Sequence, residues 1–331
     1  MPIRRDGKKR MKFAIIGTSR IAELFAEAVA MCSDVEIAVV YSRTKDNAER
    51  FARAFFVPET TTSLEELARN PAIDAVYVAS PNSCHYGQSV MMLQNGKHVL
   101  CEKPISTSAD EFSKMLRVAQ ENGVVLLEAS KHLHAPGIGI LRKLIPEIGA
   151  VRRASFVFNQ YSSRYDRLIK FGEVHNVFSK EMGGGALMDI GVYCIELMVA
   201  LFGKPELILC SSIMLPSGVD SHGAVIARYD GFLVELGYSK IVQSAVPSVI
   251  EGESGSLVFE TLSRMKRVDV VMRNGEGKHV ACNCPDNQMV YEIQAFKEML
   301  SDPQMAVPFQ DISMTSQILM DEIKSNGAIK R

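Results

Sequence analysis

Between residues 11 and 129, short apolar runs alternate with amphipathic stretches. KFAII, VEIAVVY, IDAVYVA, KHVLC and VVLLEA are apolar almost throughout, as strands buried on both faces are, and a helical periodicity separates each from the next. That order predicts α/β architecture: a doubly wound parallel sheet with helices on both sides. Ser63 with Glu66 and Ser108 with Glu111 have capping-box spacing, and Asn95-Gly96 and Asn122-Gly123 end helices just before strands. After about Leu133 the pattern changes. RRASFVFNQ, ELILCSSIM, GAVIARY, FLVELGYS, AVPSVIEG and SLVFE read as strands separated by turns, with Asp230-Gly231 and Asn274-Gly275 as tight hairpins. The second half is expected to be an α+β domain with a large, open, mostly antiparallel sheet. A helix over 186–202 covers one face of it, and helical patterns at 289–300 and 313–324 finish the chain. The expected boundaries are a disordered extension at 1–10, a nucleotide-type domain at 11–133 and a substrate and oligomerisation domain at 134–331, its last helix able to pack back on the first. A sheet covered on one side only leaves a face for a second copy, so a homodimer or homotetramer is expected.

Composition narrows the partners. A chain of 331 residues with 47% hydrophobic and 23% charged residues can bury two cores. The formal net charge of -1 gives no broad basic field, which argues against nucleic acid or anionic membrane and for a small neutral or polar ligand. The seven cysteines, Cys32, Cys84, Cys101, Cys194, Cys210, Cys282 and Cys284, are odd in number and sit mostly in apolar runs, as reduced core cysteines do. The basic start MPIRRDGKKRM has no apolar segment of signal-peptide type behind it, and no transmembrane stretch is evident, so a cytoplasmic location is expected.

Chemistry first enters at KFAIIGTSRIAELFAEAVA, which reads strand, turn, helix. Gly17, Ser19 and Ala22 occupy the three places of a G-x-G-x-x-G/A fingerprint, with serine for the middle glycine. The loop Gly17, Thr18, Ser19, Arg20, Ile21 would then bring the free N–H groups of a helix N-terminus to a pyrophosphate, as in a Rossmann domain. At the end of the second strand an acid would hold the ribose 2′-hydroxyl of NAD. This chain has Ser42, Arg43 and Lys45 instead, which suit the extra phosphate of NADP; NAD remains the alternative, with Arg43 an ordinary solvated cation. ASPNSCHYGQ, CEKPIST and EASKHLHAP follow three further strands, where parallel sheets bind ligands. Lys103 is bracketed by Glu102 and Pro104, and its X-Pro bond is a candidate for cis.

A second glycine run stands far downstream, in GGGALMDIGVYCIE at 183–196, with Asp189 and Tyr193 at i and i+4 on one helical face. By themselves these fit a core aromatic and an acid answering a helix dipole as well as a catalytic pair. His132 and His134 in KHLH are spaced like a ligand pair on a strand, but no third ligand accompanies them, so polar substrate contact is expected and no metal.

From about Met11 to Lys330 the chain resembles the Gfo/Idh/MocA oxidoreductases, on GTSRIA, SPNSCHY, CEKP and GGGALMDIGVY in that order and spacing. The resemblance implies hydride transfer between NAD(P) and the carbon bearing a hydroxyl of a sugar, polyol or diol. It makes the E-K-P lysine, Lys103, catalytic, and implies cofactor contacts at Ser80, Pro81, Asn82, His85 and Glu102. Most of the family has histidine where this chain has Tyr193; tyrosine there is similar to the glucose-fructose oxidoreductase and dimeric dihydrodiol dehydrogenase branches, in which it serves as acid/base and NADP is mostly preferred. A free phenol ionises near ~10, so Tyr193 needs an ammonium such as that of Lys103 to favour its anion. Asp189 would orient the substrate hydroxyl or the lysine. NQYSSRYDR and EVHN precede the glycine run and offer Tyr161, Arg164, His175 and Asn176 to a polyhydroxylated substrate. Two other readings stay open: a non-catalytic dinucleotide-binding regulator of the same fold, and an amino-acid pathway dehydrogenase with Arg164 binding a carboxylate.

Overall fold

The computed structural model describes residues 10–326; the extension expected at 1–10 lies, Arg10 apart, outside the described residues. In chain order the first elements are β1 (Met11–Ile16), α1 (Arg20–Ala30), β2 (Val35–Tyr41), α2 (Lys45–Phe55), β3 (Glu59–Thr61), α3 (Leu64–Arg69), β4 (Ala75–Val78), α4 (Asn82–Gln94), β5 (His98–Glu102), α5 (Ala109–Glu121) and β6 (Leu126–Ala129). Then follow α6 (Lys131–His134), α7 (Pro136–Leu144), β7 (Val151–Asn159), α8 (Ser163–Phe171), α9 (Val192–Phe202), β8 (Leu207–Met214), β9 (Asp220–Tyr229), β10 (Phe232–Ser239), β11 (Ser248–Gly252), β12 (Gly255–Phe259), β13 (Arg267–Met272), β14 (Gly277–Ala281), α10 (Met289–Ser301) and α11 (Val307–Asn326). The chain forms two compact units: residues up to Ala129 with Asp286–Asp311, and Ser130–Pro285 with the residues from Ile312 onward.

The first unit holds a six-stranded sheet in the order β3-β2-β1-β4-β5-β6, parallel throughout. Strands β1, β2, β4, β5 and the edge strand β6 are the apolar runs read from the sequence; β3, a three-residue strand at the other edge, was not among them. Both capping boxes form, with Ser63 Oγ accepting from the Glu66 N–H at 3.2 Å and Ser108 Oγ from the Glu111 N–H at 3.3 Å. In the core, Phe25 stacks on Tyr77 with centroids 3.7 Å apart, Phe13 meets Phe25 edge-on at 5.4 Å, and Phe296 of α10 lies 5.9 Å from Phe13. Burying each such ring stabilises by about 1.5–3 kcal/mol, so α10 is part of this core.

The second unit holds an eight-stranded sheet, β14-β13-β12-β11-β7-β10-β9-β8, antiparallel except where β7 lies parallel to β10. Gly231 and Gly275 take φ of +78° and +90° in the two expected hairpins. The sequence pattern missed β13 and β14. Phe156, Leu236 and Phe259 are buried on the inner face, and α9 packs against β7 and β10. The helix expected over 186–202 is divided: Leu187–Gly191 is a π-helical turn and α9 begins at Val192. Tyr238 fills the space beside Gly191, where a Cβ would stand 3.0 Å from its ring. The outer face alternates away from this core. Leu209 (61% exposed), Ile226 (45%) and Leu233 (44%) are open to solvent there, beside Arg153, which donates to Glu235 at 2.6 Å and to Glu251 at 2.8 Å. All seven cysteines are free thiols, and among the described residues no helix is long and apolar enough to cross a membrane.

Candidate functional site

In the first unit the β1–α1 turn is built for close approach. Gly17 has φ +114°, and a Cβ there would lie 2.6 Å from the Ala79 carbonyl oxygen, so only glycine lets β1 turn beside the end of β4. Ser19 is the N-cap of α1 in extended geometry and its side chain makes no capping hydrogen bond, while Ala22 is fully buried under the helix. Ser19 therefore leaves the first-turn N–H groups of α1 uncapped by its own side chain, which fits a pyrophosphate. Thr18 and Ile21 are half-buried. Arg20 turns along its own helix, donating to Glu23 at 2.9 Å and Glu27 at 3.1 Å. At the end of β2, Ser42 is buried and Arg43 exposed, while Lys45 pairs with Glu49 at 3.6 Å.

The ends of β4 and β5 are tied together by His85. Its ring is fully buried, with Nδ1 2.9 Å from the Pro104 carbonyl and Nε2 2.9 Å from the Ser80 carbonyl; burial pushes its pKa down, against the pull of those two acceptors. Ser80 Oγ donates to Gln88 at 2.7 Å, Pro81 is the N-cap of α4, and Asn82, half-buried, is its first residue. The Lys103–Pro104 bond is cis. Glu102, buried at the end of β5, accepts from the Tyr77 hydroxyl and from the Lys103 N–H at 3.2 Å, and burial, reinforced by Glu102, drives the Tyr77 pKa well up. Glu128 accepts from the Ile105 N–H at 2.7 Å. Lys103 thus stands on a turn pinned on both flanks.

In the second unit the glycine run has a packing cause. A Cβ on Gly184 would lie 2.5 Å from the Asn176 carbonyl oxygen and 2.7 Å from that of Val177, and Gly185 has φ +122° with its Cβ position against the Asp220 carboxylate. Asp220 accepts from the Leu187 N–H at 2.8 Å, and its burial pushes its pKa up to about 6. Above that cap, Asp189 Oδ2 lies 2.6 Å from Lys240 Nζ, with 32% of the acid's side chain accessible and only 9% of the lysine's. Tyr193, one turn on, is buried with its ring against His132 (centroids 4.9 Å apart) and Phe158 (5.5 Å). Lys240 carried no sequence signal, since it only follows the strand FLVELGYS; the contact is long-range.

KHLH, expected as a strand, is one turn of helix, so residues two apart point to different sides. Burial takes His134 down to about 4, and among the described residues no group of three or more metal-ligating side chains forms. Tyr161, Arg164, His175 and Asn176 are all exposed, on and around α8, which buries no residue; the Tyr161 hydroxyl donates to Asp166 at 2.9 Å. Burial, then Arg164 and Arg167, lower the His175 pKa.

A parallel unit with a glycine turn at a helix N-terminus, followed by a unit with an open, mostly antiparallel sheet, is the two-unit plan of a nicotinamide-dependent oxidoreductase, and similarity to known proteins agrees. Residues 11–130 match the NAD-binding Rossmann fold of the GFO/IDH/MocA oxidoreductase family and residues 141–258 match the GFO/IDH/MocA C-terminal domain; the chain belongs to that family. It is 40% identical to the scyllo-inositol 2-dehydrogenase (NADP(+)) of Bacillus subtilis (strain 168) over 96% of this chain and 98% of that one. It is 32% identical to the trans-1,2-dihydrobenzene-1,2-diol dehydrogenase of Xenopus laevis over 72% and 71% of the respective chains. In fold it is similar to KijD10, a 3-ketoreductase from Actinomadura kijaniata crystallised with NADP and TDP-benzene, with a TM-score of 0.87, 22% identity and coverage of 96% and 98%.

Proposed function

We propose that this protein oxidises a secondary hydroxyl of a cyclic polyol, or reduces the corresponding ketone, with NADP as its coenzyme and Tyr193 as acid/base. The observation that carries the reading is the placement of Tyr193, its ring held between His132 and Phe158, one turn beyond the Asp189–Lys240 pair. The 40% identity to a scyllo-inositol dehydrogenase supports the substrate class.

In the oxidative direction Tyr193 Oη takes the hydroxyl proton and the carbon–oxygen double bond forms; in the reverse direction Tyr193 returns that proton to the developing alkoxide. The dinucleotide, when bound, supplies the hydride acceptor or donor. Lys103 favours the phenolate and stabilises charge on the reacting oxygen. Asp189 accepts from a neighbouring substrate hydroxyl, and Lys240, 2.6 Å away, holds that carboxylate in orientation. Gly17 through Ile21, Ser80, Pro81, Asn82, His85 and Glu102 shape the dinucleotide site, and Ser42 with Arg43 receives the 2′-phosphate. Tyr161, Arg164, His175 and Asn176 are the candidates for the substrate's outer hydroxyls. The outer sheet face is the proposed contact between copies.

Inositols, trans-1,2-dihydrobenzene-1,2-diol and aldoses, each offered with NADP and with NAD and followed by the absorbance of the reduced nicotinamide, test this directly. The expected result is NADP-linked oxidation of an inositol; no hydride transfer with any of them would favour a dinucleotide-binding regulator. In the active pair, Tyr193→Phe is expected to lower kcat about 100-fold or more and to leave NADPH binding unchanged.

A further inference from the structure

Helix α9 reads VYCIELMVALF, and its one ionisable acid, Glu196, is fully buried. A leucine would fill that position, whereas a carboxylate taken out of water is costly unless other groups satisfy it. Its two oxygens are met differently: only Oε1 is hydrogen-bonded, and Oε2 has an ion-pair contact without hydrogen-bond geometry. Oε1 accepts from Ser130 Oγ at 2.6 Å, and Oε2 lies 3.4 Å from His132 Nε2, with Ser130, His132 and Glu196 all buried. The same imidazole packs on Tyr193: the two rings are 4.9 Å apart at 57°, and Phe158 closes a second side of the phenol at 5.5 Å and 59°. Glu196 is three residues beyond Tyr193 on the same helix, so the acid and the phenol share one helical face and the imidazole packs against both. Ser130 and His132 come from the segment immediately after β6, which therefore reaches Tyr193 by a polar link as well as by packing.

We propose that His132 and Glu196 are positioning residues for Tyr193: the carboxylate fixes the imidazole, and the imidazole fixes the ring plane and hence the direction of the phenol oxygen. This rests on the reading of Tyr193 as acid/base. A buried pair of this kind is poor value as a stabiliser, because apolar side chains of similar volume often serve as well or better. Orientation is different. Misplacing a reacting group by about 1 Å can cost about 100-fold in rate, and a phenol free to swing between Phe158 and a looser neighbour would lose that alignment.

The test compares the full chain with Glu196→Gln, which is isosteric and still accepts from Ser130, and with the paired His132→Phe/Glu196→Leu variant, which replaces the polar link by apolar contact. Each is made alone and combined with Tyr193→Phe, and assayed with NADP and scyllo-inositol or whichever polyol the panel above finds oxidised. The expected result is a fall in kcat of about 10- to 100-fold, with KM for NADP and polyol nearly unchanged and the paired variant melting no lower than the native chain. In the Tyr193→Phe background neither change should lower kcat further, because the group they position is gone. Native kcat in the paired variant overturns the proposal, as does a loss repeated in full beside Tyr193→Phe. Native turnover in Tyr193→Phe alone is a separate result that removes the acid/base reading itself and the positioning role with it.

Discussion

Arg43 is exposed at the end of β2 beside buried Ser42, where a dinucleotide of NAD type meets an acid. Since a guanidinium binds phosphate through a planar fork, Arg43→Ala is expected to raise KM for NADP about 10-fold and to leave KM for NAD almost as it was; equal effects on both would show that Arg43 does not meet the 2′-phosphate. Asp220 behaves differently from the surface acids. Its pKa is lifted to about 6, so its contribution to stability is greatest when protonated, below about pH 4, and is lost as pH rises through 6. Asp220→Asn stays neutral and can still accept from Leu187. Its melting temperature relative to the native chain should climb between about pH 4 and pH 7 and then level off, and a difference independent of pH would refute the shift.

Among the elements, the glycine run before α9 is a packing device as much as a loop. Gly184→Ala drives a methyl into the carbonyls of Asn176 and Val177, and a drop of about 1–3 kcal/mol in unfolding free energy by denaturant titration is expected; an unaffected midpoint would mean that the 176–177 segment yields freely. The same local physics explains what the sequence made legible. Strands β1, β2, β4, β5 and β6 are covered on both faces and spell themselves as apolar runs. Edge strands β3 and β14 are largely exposed and β13 interleaves Arg267 and Asp269 with its valines, so little burial signal remains to read. Tyr193 and Asp189 stand out in the sequence only because a glycine run precedes them and the family resemblance assigns roles to that stretch. Lys240 and the link from His132 to Glu196 were not, because they arise from contacts between residues far apart in the chain, which no local period encodes. The π-helical turn at Leu187–Gly191 was likewise invisible; it packs Gly191 against Tyr238 of a distant strand.

At the scale of the whole molecule, the outer face of the eight-stranded sheet presents Leu209, Ile226 and Leu233 to solvent next to the Arg153–Glu235–Glu251 network. Exposed apolar surface of this kind, rimmed by charge, suits association. Ile226→Lys is expected to shift the protein to a smaller species in light scattering, with kcat per chain retained; an unchanged mass would move the proposed contact elsewhere.

The first unit is not continuous in sequence: residues 286–311 complete it, and Phe296 closes over Phe13. On the ribosome, where amino-terminal domains ordinarily fold first, Phe13 and its neighbours must wait until nearly the whole polypeptide has been made before their last wall arrives. A nascent chain arrested before Asp286 would expose that apolar surface, and chaperones have the longest access to the segment synthesised earliest.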